Sequence, residues 1–188
     1  MKFCSHCGSS DLNIKIPPGD TTPRRVCAHC GTIFYENPKI VAGCILEWED
    51  KILLCKRAIE PRAGLWTVPA GFMENGESVV EAAAREAWEE AGARSGDLSL
   101  HTMYNLKHAD QVYILYRGSL DEGRFKPGHE TLEAGLCGEA DIPWDTIAFT
   151  VVREALELYF ADRSRRRFRL HEGDIYRDGG EQLRIVRY

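Results

Sequence analysis

Three glutamates that lie close together in the sequence could bind a metal ion. Glu86, Glu89 and Glu90 are spaced i, i+3 and i+4, which makes them side-chain neighbours if the segment is helical. Ionised carboxylates at that separation repel each other unless a cation neutralises them, and their hard oxygen atoms suit Mg²⁺ or Mn²⁺. The alternative is a solvated acidic face in which Arg85 pairs with Glu81 and Glu89. These residues alone leave both interpretations open.

Four cysteines form two C-x-x-C pairs near the start of the sequence. Cys4 and Cys7 make the first pair, Cys27 and Cys30 make the second, and a glycine follows each pair directly. This spacing is typical of a tetrahedral Zn²⁺ site, and the glycines permit tight turns that bring two thiolates to one ion. Because four thiolates leave no open coordination position, we expect the zinc to stabilise residues 1–34 as a small zinc ribbon.

The composition indicates a globular protein that binds small molecules. The chain has 188 residues, of which 44% are apolar, and its net charge is -5. An acidic protein has no overall attraction for nucleic acid or anionic lipid, so we expect a small nucleotide as the partner, with neither nucleic acid nor membrane. There is no apolar run of transmembrane length and no signal-peptide pattern, which predicts a cytoplasmic protein.

The three glutamates fall in a segment that carries helix signals at both ends. Ser78 and Glu81 have the spacing of a capping box, and Gly92 can close the helix in a left-handed conformation, which predicts a helix over 79–91. The expected apolar stripe of this helix consists of Val80, Ala84, Ala87, Trp88 and Ala91. The glutamates are therefore expected on the opposite, polar face.

Apolar runs rich in β-branched residues surround the helix and predict a sheet. Strands are expected at 40–48, 51–57, 98–106 and 111–120, the first two as a hairpin. A second helix is expected at 151–161, with Thr150 as its cap. Strands between two helices indicate an α/β fold. The arginine-rich residues that follow are expected to form a solvated tail or a subunit contact.

The helical segment resembles the signature of the Nudix hydrolases. The matching positions are Gly71, Glu77, Arg85, Glu86, Glu89, Glu90 and Gly92, with Ala87 and Ala93 at the aliphatic positions. The resemblance implies a Nudix fold, which is an α/β/α sandwich with a mixed sheet. We therefore expect a zinc ribbon at 1–34, a Nudix domain at 35–162 and a C-terminal tail at 163–188. It also implies a homodimer that hydrolyses phosphorus-containing anhydrides with Mg²⁺ or Mn²⁺.

The same resemblance implies roles for the signature residues. Glu86 and Glu90 correspond to the principal carboxylate ligands of the catalytic cation, and Glu89 corresponds to a further ligand or an outer acid. The backbone carbonyl of Ala70 or Gly71 would add another oxygen ligand. Two more signature residues, Arg85 and Glu77, are expected to pair with each other, and Arg85 would orient the acids.

The general base is not specified by the signature. A loop expected at 125–133 could reach the site, and we expect Glu133, then Glu130, as the base within it. The substrate-binding residues cannot be assigned from the sequence, because Nudix specificity resides in loops outside the signature.

A zinc ribbon ahead of a Nudix domain resembles two groups of enzymes. NADH pyrophosphatases carry a Ser-Gln-Pro-Trp-Pro-Phe-Pro-like motif after the signature, where this sequence has residues 102–107 without such a motif. A shorter group that acts on ADP-ribose or FAD has segments matched here at 66–71, 127–133 and 142–149. We therefore expect release of AMP from ADP-ribose or FAD, with NADH hydrolysis as the alternative. An inactive nucleotide- or nucleic-acid-binding protein is the alternative of a different class.

Overall fold

The computed structural model describes residues 1–178 and 182–188, which form two compact units, Met1–Asn37 and Pro38–Tyr188. The first unit is an antiparallel sheet of three strands in the order β1-β2-β3: β1 (Leu12–Lys15), β2 (Arg24–Cys27) and β3 (Ile33–Phe34). Its buried apolar residues are Cys4, Pro17, Val26 and Cys27. So small a core is typical of a segment that a metal ion stabilises.

The second unit is built on one mixed sheet of nine strands. In chain order the strands are β4 (Lys39–Trp48), β5 (Lys51–Arg57), β6 (Trp66–Thr67), β7 (Ala70–Phe72), β8 (Ser99–Leu106), β9 (Gln111–Ser119), β10 (Thr131–Cys137), β11 (His171–Arg177) and β12 (Leu183–Arg187). Across the sheet the order is β10-β5-β4-β9-β8-β11-β12, with β6 on β5 and β7 on β4. The pairs β4 with β9 and β8 with β11 are parallel. The predicted hairpin of β4 and β5 is confirmed.

Two α-helices, α1 (Val79–Ala91) and α2 (Thr150–Ser164), cover opposite faces of this sheet. Consecutive residues of β4 belong to different core clusters. Cys44 is in the cluster of Ala87 from α1, and Ile45 is in the cluster of Leu156 from α2. Because side chains alternate between the two faces of a strand, the helices lie on opposite sides. This is the expected α/β/α sandwich. Within the described part of the chain, no helix has the length and apolar character to cross a membrane.

The bounds of helix α1 agree with the prediction, but its buried face does not. The capping box of Ser78 and Glu81 is present, and Gly92 has a left-handed φ of 53°. The expected apolar stripe is wrong in part, because Val80 and Trp88 are exposed. The buried face consists of Ala82, Ala83, Glu86, Ala87, Glu90 and Ala91. The small alanine side chains allow the helix to pack close to β4. Two glutamates lie on the same face as these alanines and are therefore buried with them.

The residues after 162 do not form the solvated tail that the sequence suggested. Helix α2 continues to Ser164, β11 pairs with β8, and β12 adds to β11. Arg163 donates to the backbone carbonyl of Asp50 at 2.7 Å and lies over the ring of Phe160, which anchors the end of α2. Residues 179–181 of the expected tail lie outside the described residues.

Two local expectations are also corrected by the structure. The N-cap of α2 is Phe149, which makes no side-chain capping bond, so Thr150 is the first helical residue. The loop expected at 125–133 ends early, because β10 begins at Thr131 and pairs with β5. Glu133 therefore lies within an edge strand.

Candidate active site and zinc centre

The four paired cysteines of the first unit lie together. Their sulfur atoms are within 4.8 Å of one another, with 3.7 Å between Cys4 and Cys30 and 3.6 Å between Cys7 and Cys27. Zn–S bonds of about 2.3 Å in a regular tetrahedron place sulfurs about 3.8 Å apart. The hydroxyl group of Thr32 lies 3.0 Å from the sulfur of Cys30. The cluster therefore fits a zinc ion.

In the second unit, the strand before α1 brings backbone close to the acidic helix. β7 pairs with β4, which places Ala70 opposite Gly43. A Cβ atom at Gly43 would overlap Ala70, and a Cβ atom at Gly71 would overlap the carboxyl group of Glu86. The backbone N–H of Ala70 donates to the carboxylate of Glu90 at 3.2 Å. The two glycines thus allow β7 to lie directly against the buried acids, where the resemblance implies a backbone ligand.

Arg85 connects the turn before the helix to the glutamates on it. Its guanidinium group donates two hydrogen bonds to Glu77, at 2.8 and 3.0 Å, and one to the carbonyl of Phe72 at 3.1 Å. It also contacts Glu86 at 2.7 Å and Glu89 at 2.9 Å. The hydrogen bonds from Arg85 lower the pKa of Glu77 to about 2. The predicted pairing of Glu77 with Arg85 is confirmed. The same guanidinium group also fixes Glu86 and Glu89 on the helix.

Glu86 and Glu90 are buried carboxylates, unlike the third acid of the cluster. Each is only 8% exposed, whereas the side chain of Glu89 is 56% exposed. Burial raises the pKa of Glu90 to about 8, with a further rise from the nearby charge of Glu86, although the Ala70 N–H opposes the shift. Burial also raises the pKa of Glu86, against the opposing effect of Arg85. A cation bound between these acids would stabilise their charged forms.

A cavity of about 1020 Å³ opens onto these acids. Residues of every predicted part of the catalytic site line it, namely Ala70, Gly71, Arg85, Glu86, Glu89, Glu90 and Glu130. Glu133 is not among the lining residues; its exposed carboxylate lies 3.6 Å from Lys56 on the neighbouring strand. The preference for Glu133 over Glu130 as the base is therefore reversed, because only Glu130 faces the cavity.

The loop that carries Glu130 is docked on the C-terminal end of α1. The backbone N–H of Gly128 donates to the carbonyl of Glu90 at 2.9 Å, and that of Lys126 donates to the carbonyl of Ala91 at 2.6 Å. A Cβ atom at Gly128 would overlap the backbone carbonyl oxygen of Glu89. The loop therefore satisfies carbonyls that the helix end leaves free, and it holds Glu130 beside the cavity.

Sequence reasoning missed two residues at the cavity. Arg57, assigned only to a strand, lines the cavity, lies over the ring of Phe149, and has a positive charge that lowers the pKa of Glu90. Trp88, assigned to the apolar stripe, is 54% exposed and lines the same cavity. The sequence did carry a signal that Arg57 is functional, because it lies two residues past the apolar run of β5, where a strand leaves the core. Trp88 carried no such signal, since an aromatic residue at helical spacing usually packs in a core.

Comparison with known proteins supports the assignment that the geometry suggests. Residues 37–157 match the family model for the NUDIX domain, and residues 2–36 match the zinc-ribbon model described as Nudix N-terminal. The crystal structure of a NUDIX hydrolase from Nitrosomonas europaea is 50% identical with a TM-score of 0.89, covering 94% of this chain and 100% of that chain.

Curated relatives include the NAD-capped RNA hydrolases NudC of Salmonella typhi and Salmonella heidelberg (strain SL476). Each is 32% identical over 160 residues, which is 83% of this chain and 59% of the relative. The chain thus spans somewhat more than half the length of these relatives. An ADP-ribose pyrophosphatase from Streptococcus suis, 21% identical with a TM-score of 0.55 over 75% of this chain and 100% of that chain, shares the fold. The chain belongs to the NUDIX family, with a zinc-ribbon domain ahead of its NUDIX domain.

Proposed function

We propose that this Nudix hydrolase cleaves the diphosphate linkage of an NAD-type dinucleotide, such as NADH, and releases AMP. The observation that carries the proposal is the pair of buried carboxylates, Glu86 and Glu90, at the wall of a cavity of about 1020 Å³. Ligand sites of this kind commonly span about 300–1,000 Å³, which accommodates a dinucleotide. The names of the curated relatives favour an NAD-type substrate.

The charge of a diphosphate explains why such a site needs a divalent cation. Glu86 and Glu90 would hold Mg²⁺ or Mn²⁺, with Glu89 and a backbone carbonyl at Ala70 or Gly71 as further ligands. A bound cation neutralises phosphoryl oxygens and makes a coordinated water more acidic. A buried acid whose pKa rises without a cation is the kind of ligand that such an ion would stabilise.

The remaining residues of the site would position these groups. Arg85 holds Glu86 and Glu89 in fixed orientations through bonds of 2.7 and 2.9 Å. We place Glu130 as the general base, since it lies on the loop docked beside Glu90 and lines the cavity. The guanidinium group of Arg57 is suited to a phosphate oxygen of the substrate.

ADP-ribose or FAD is the second candidate substrate. It is favoured by the segment Thr102–Lys107, which lacks the proline-rich motif of NADH pyrophosphatases. In the structure most of this segment belongs to β8, in the middle of the sheet. ADP-ribose, FAD and NADH share an adenosine diphosphate half, so the chemistry at the glutamates would be the same. Contacts of the second half with the cavity would determine the choice.

The names of the curated relatives make nucleic acid a candidate substrate. The expectation that nucleic acid is not a partner finds no support in relatives named NAD-capped RNA hydrolases. The net charge of -5 opposes strong phosphate-backbone binding, so we propose that an RNA-linked substrate is recognised through its dinucleotide end. The homodimer stays a prediction.

A substrate panel tests the proposed function. Purified protein is incubated with NADH, ADP-ribose, FAD or NAD-capped RNA, with Mg²⁺ or Mn²⁺, and the products are separated by chromatography. We expect AMP or a 5′-monophosphate RNA, and a higher kcat/KM for the NAD-type substrates. A preference of more than about tenfold for ADP-ribose or FAD would select the second candidate. Turnover of every compound at the level of a matched Glu90→Gln control would rule out the proposed reaction.

A further inference from the structure

A second cluster of metal-ligand side chains lies in the core on the α2 face of the sheet. It consists of His101 on β8, Asp162 on α2 and His171 on β11. The three residues are 0, 2 and 7% exposed, respectively, and none of them is among the residues that line the cavity. The cluster is therefore separate from the proposed hydrolytic site and from the cysteines of the ribbon.

The ligand atoms of the cluster lie close enough to share one ion. One nitrogen or oxygen atom from each residue falls within 4.8 Å of the other two. Nε2 of His171 lies 2.8 Å from Oδ2 of Asp162, and the two imidazole rings meet edge to face with centroids 5.4 Å apart. Two imidazoles and a carboxylate at these separations form a donor set that suits Zn²⁺ and other divalent transition ions.

The sheet departs from regular pairing to place His101 in this cluster. Leu100 pairs with Tyr116 and Thr102 pairs with Leu115, so His101 is an extra residue in a β-bulge. Bulges re-aim side chains and are enriched next to functional sites. Both His101 and the next residue, Thr102, are fully buried.

His101 also has a ring nitrogen with no hydrogen-bond partner in the part of the chain that the structure describes. Nε2 lies 3.3 Å from the carbonyl oxygen of Ala155, whereas Nδ1 is buried and unpaired. Because a carbonyl only accepts hydrogen bonds, the proton belongs on Nε2, which leaves a bare lone pair on Nδ1. A purely hydrogen-bonded core would account for the pairing of His171 with Asp162 but leaves this nitrogen unexplained.

We propose that His101, Asp162 and His171 bind a divalent transition ion such as Zn²⁺. Three protein ligands leave a fourth position for water in a tetrahedral site. Thr102, the register partner of His171, has a buried hydroxyl with no hydrogen-bond partner among the described residues. The ion would join β8 to α2 and β11, which come much later in the sequence. Imidazole ligands favour a transition ion over Mg²⁺.

Counting metal ions in the intact chain tests the proposal. The protein is loaded with about three equivalents of Zn²⁺, dialysed against excess Mg²⁺ so that the glutamate cluster holds the harder ion, and analysed for zinc. We expect two zinc ions per chain in the wild type and one in Cys27→Ser, which opens the ribbon site. His101→Gln should also retain one. Wild type with one zinc and Cys27→Ser with none would overturn the proposal.

Cobalt distinguishes the two sites independently of the count. Co²⁺ in the ribbon should show thiolate charge-transfer absorption, and Co²⁺ in the His101 cluster should show only d–d bands and paramagnetically shifted imidazole N–H signals. These shifted signals should be present in Cys27→Ser and absent from Asp162→Asn, which preserves the size of the side chain. If neither core variant folds, the spectrum of Cys27→Ser alone decides, since the absence of shifted imidazole signals there would overturn the proposal.

Discussion

The cysteine cluster of the ribbon and the glutamate cluster of α1 are both sets of metal-ligand side chains, but the first is closed and the second is open to a cavity. The four cysteines come from two short turns, and their sulfurs approach the separations of a closed tetrahedron. The glutamates project from one helix against a strand, two of them buried, beside a large cavity. One cluster is complete without an outside molecule, whereas the other is open on the side from which a substrate would come.

This difference shows what distinguishes a structural centre from a reactive one. In the ribbon, the ligands compensate for a core of very few apolar side chains. At α1, folding buries Glu86 and Glu90 and raises their pKa values, which by itself destabilises the charged, ligand-competent form of the protein. The open site therefore lowers the free energy of unfolding, and a bound cation and substrate would offset this loss. The closed site has no such loss.

The sharpest test of the open cluster is Glu90→Gln, which keeps the size of the side chain but removes its charge. We expect turnover of the best substrate to fall by roughly a thousandfold, with the fold retained, because a principal metal ligand is lost. Steady-state kinetics over a range of Mg²⁺ concentrations measures the effect. Glu81→Gln is the matched control, since glutamine also completes the capping box. Near-normal turnover by Glu90→Gln at limiting Mg²⁺ would show that the glutamates are not the metal site.

The next effect concerns the general base. Glu130→Gln should lower kcat by about a hundredfold, which is in the range of general-base catalysis. Glu133→Gln is the control on the neighbouring strand, and it should leave turnover within about twofold because its carboxylate faces solvent and Lys56. Equal losses in both variants would assign the effect to the loop and not to a base.

Burial of the open cluster also predicts an unusual pH dependence of stability. With a folded-state pKa of about 8 against an ordinary value of 4.5, Glu90 holds a proton in the folded but not the unfolded state between these pH values. Metal-free protein should therefore lose stability as pH rises from about 4.5 to 8, by about 2–4 kcal/mol. Chemical unfolding at several pH values measures this slope. It should flatten in Glu90→Gln and in excess Mg²⁺; a slope of the opposite sign would contradict the buried state of Glu90.

The smallest expected effect on turnover comes from the closed cluster. Cys27→Ser should abolish zinc binding in the ribbon, because three thiolates no longer close the tetrahedron. All of the residues that line the cavity lie between Val41 and Val151, so we expect kcat to change by less than about threefold. Metal analysis and kinetics on the same sample check both statements. A loss of activity as large as that of Glu90→Gln would contradict the separation of the two roles.

Local signals explain which parts of this protein were predictable from its sequence. The bounds of α1 follow from Ser78, Glu81 and Gly92, and the cysteine pairs define their own site, because these features depend on residues only a few positions apart. The inward direction of Glu86 and Glu90 was not predictable, since periodicity assigns charged residues to the exposed face. It depends on glycines in other strands that make room for backbone and carboxylates to meet.

Pairing between distant segments explains the errors near the C-terminus. β11 and β12 are rich in charged residues, and β11 joins β8 in parallel although partners such as Asn105 and Asp174 are 69 positions apart in sequence. The strands that pair with β11 cannot be identified from the hydrophobic pattern of its own residues. Glu154, for example, is buried in α2 only because Tyr104 and Arg187 bond to it from β8 and β12. The start of the edge strand β10 at Thr131, which places Glu133 beside Lys56 and not at the cavity, was not visible in the local pattern for the same reason.

The contact between Gly128 and the end of α1 has a consequence for protein engineering. Loops outside the signature set substrate preference in this family, so exchanging them between homologues is an obvious way to redesign specificity. Here the loop shares hydrogen bonds with the helix that bears the acids, and a side chain at position 128 would push against the carbonyl of Glu89. A grafted loop without glycine at this position would displace the helix itself. Libraries aimed at new substrates should therefore keep Gly128 constant and vary the residues on either side of it.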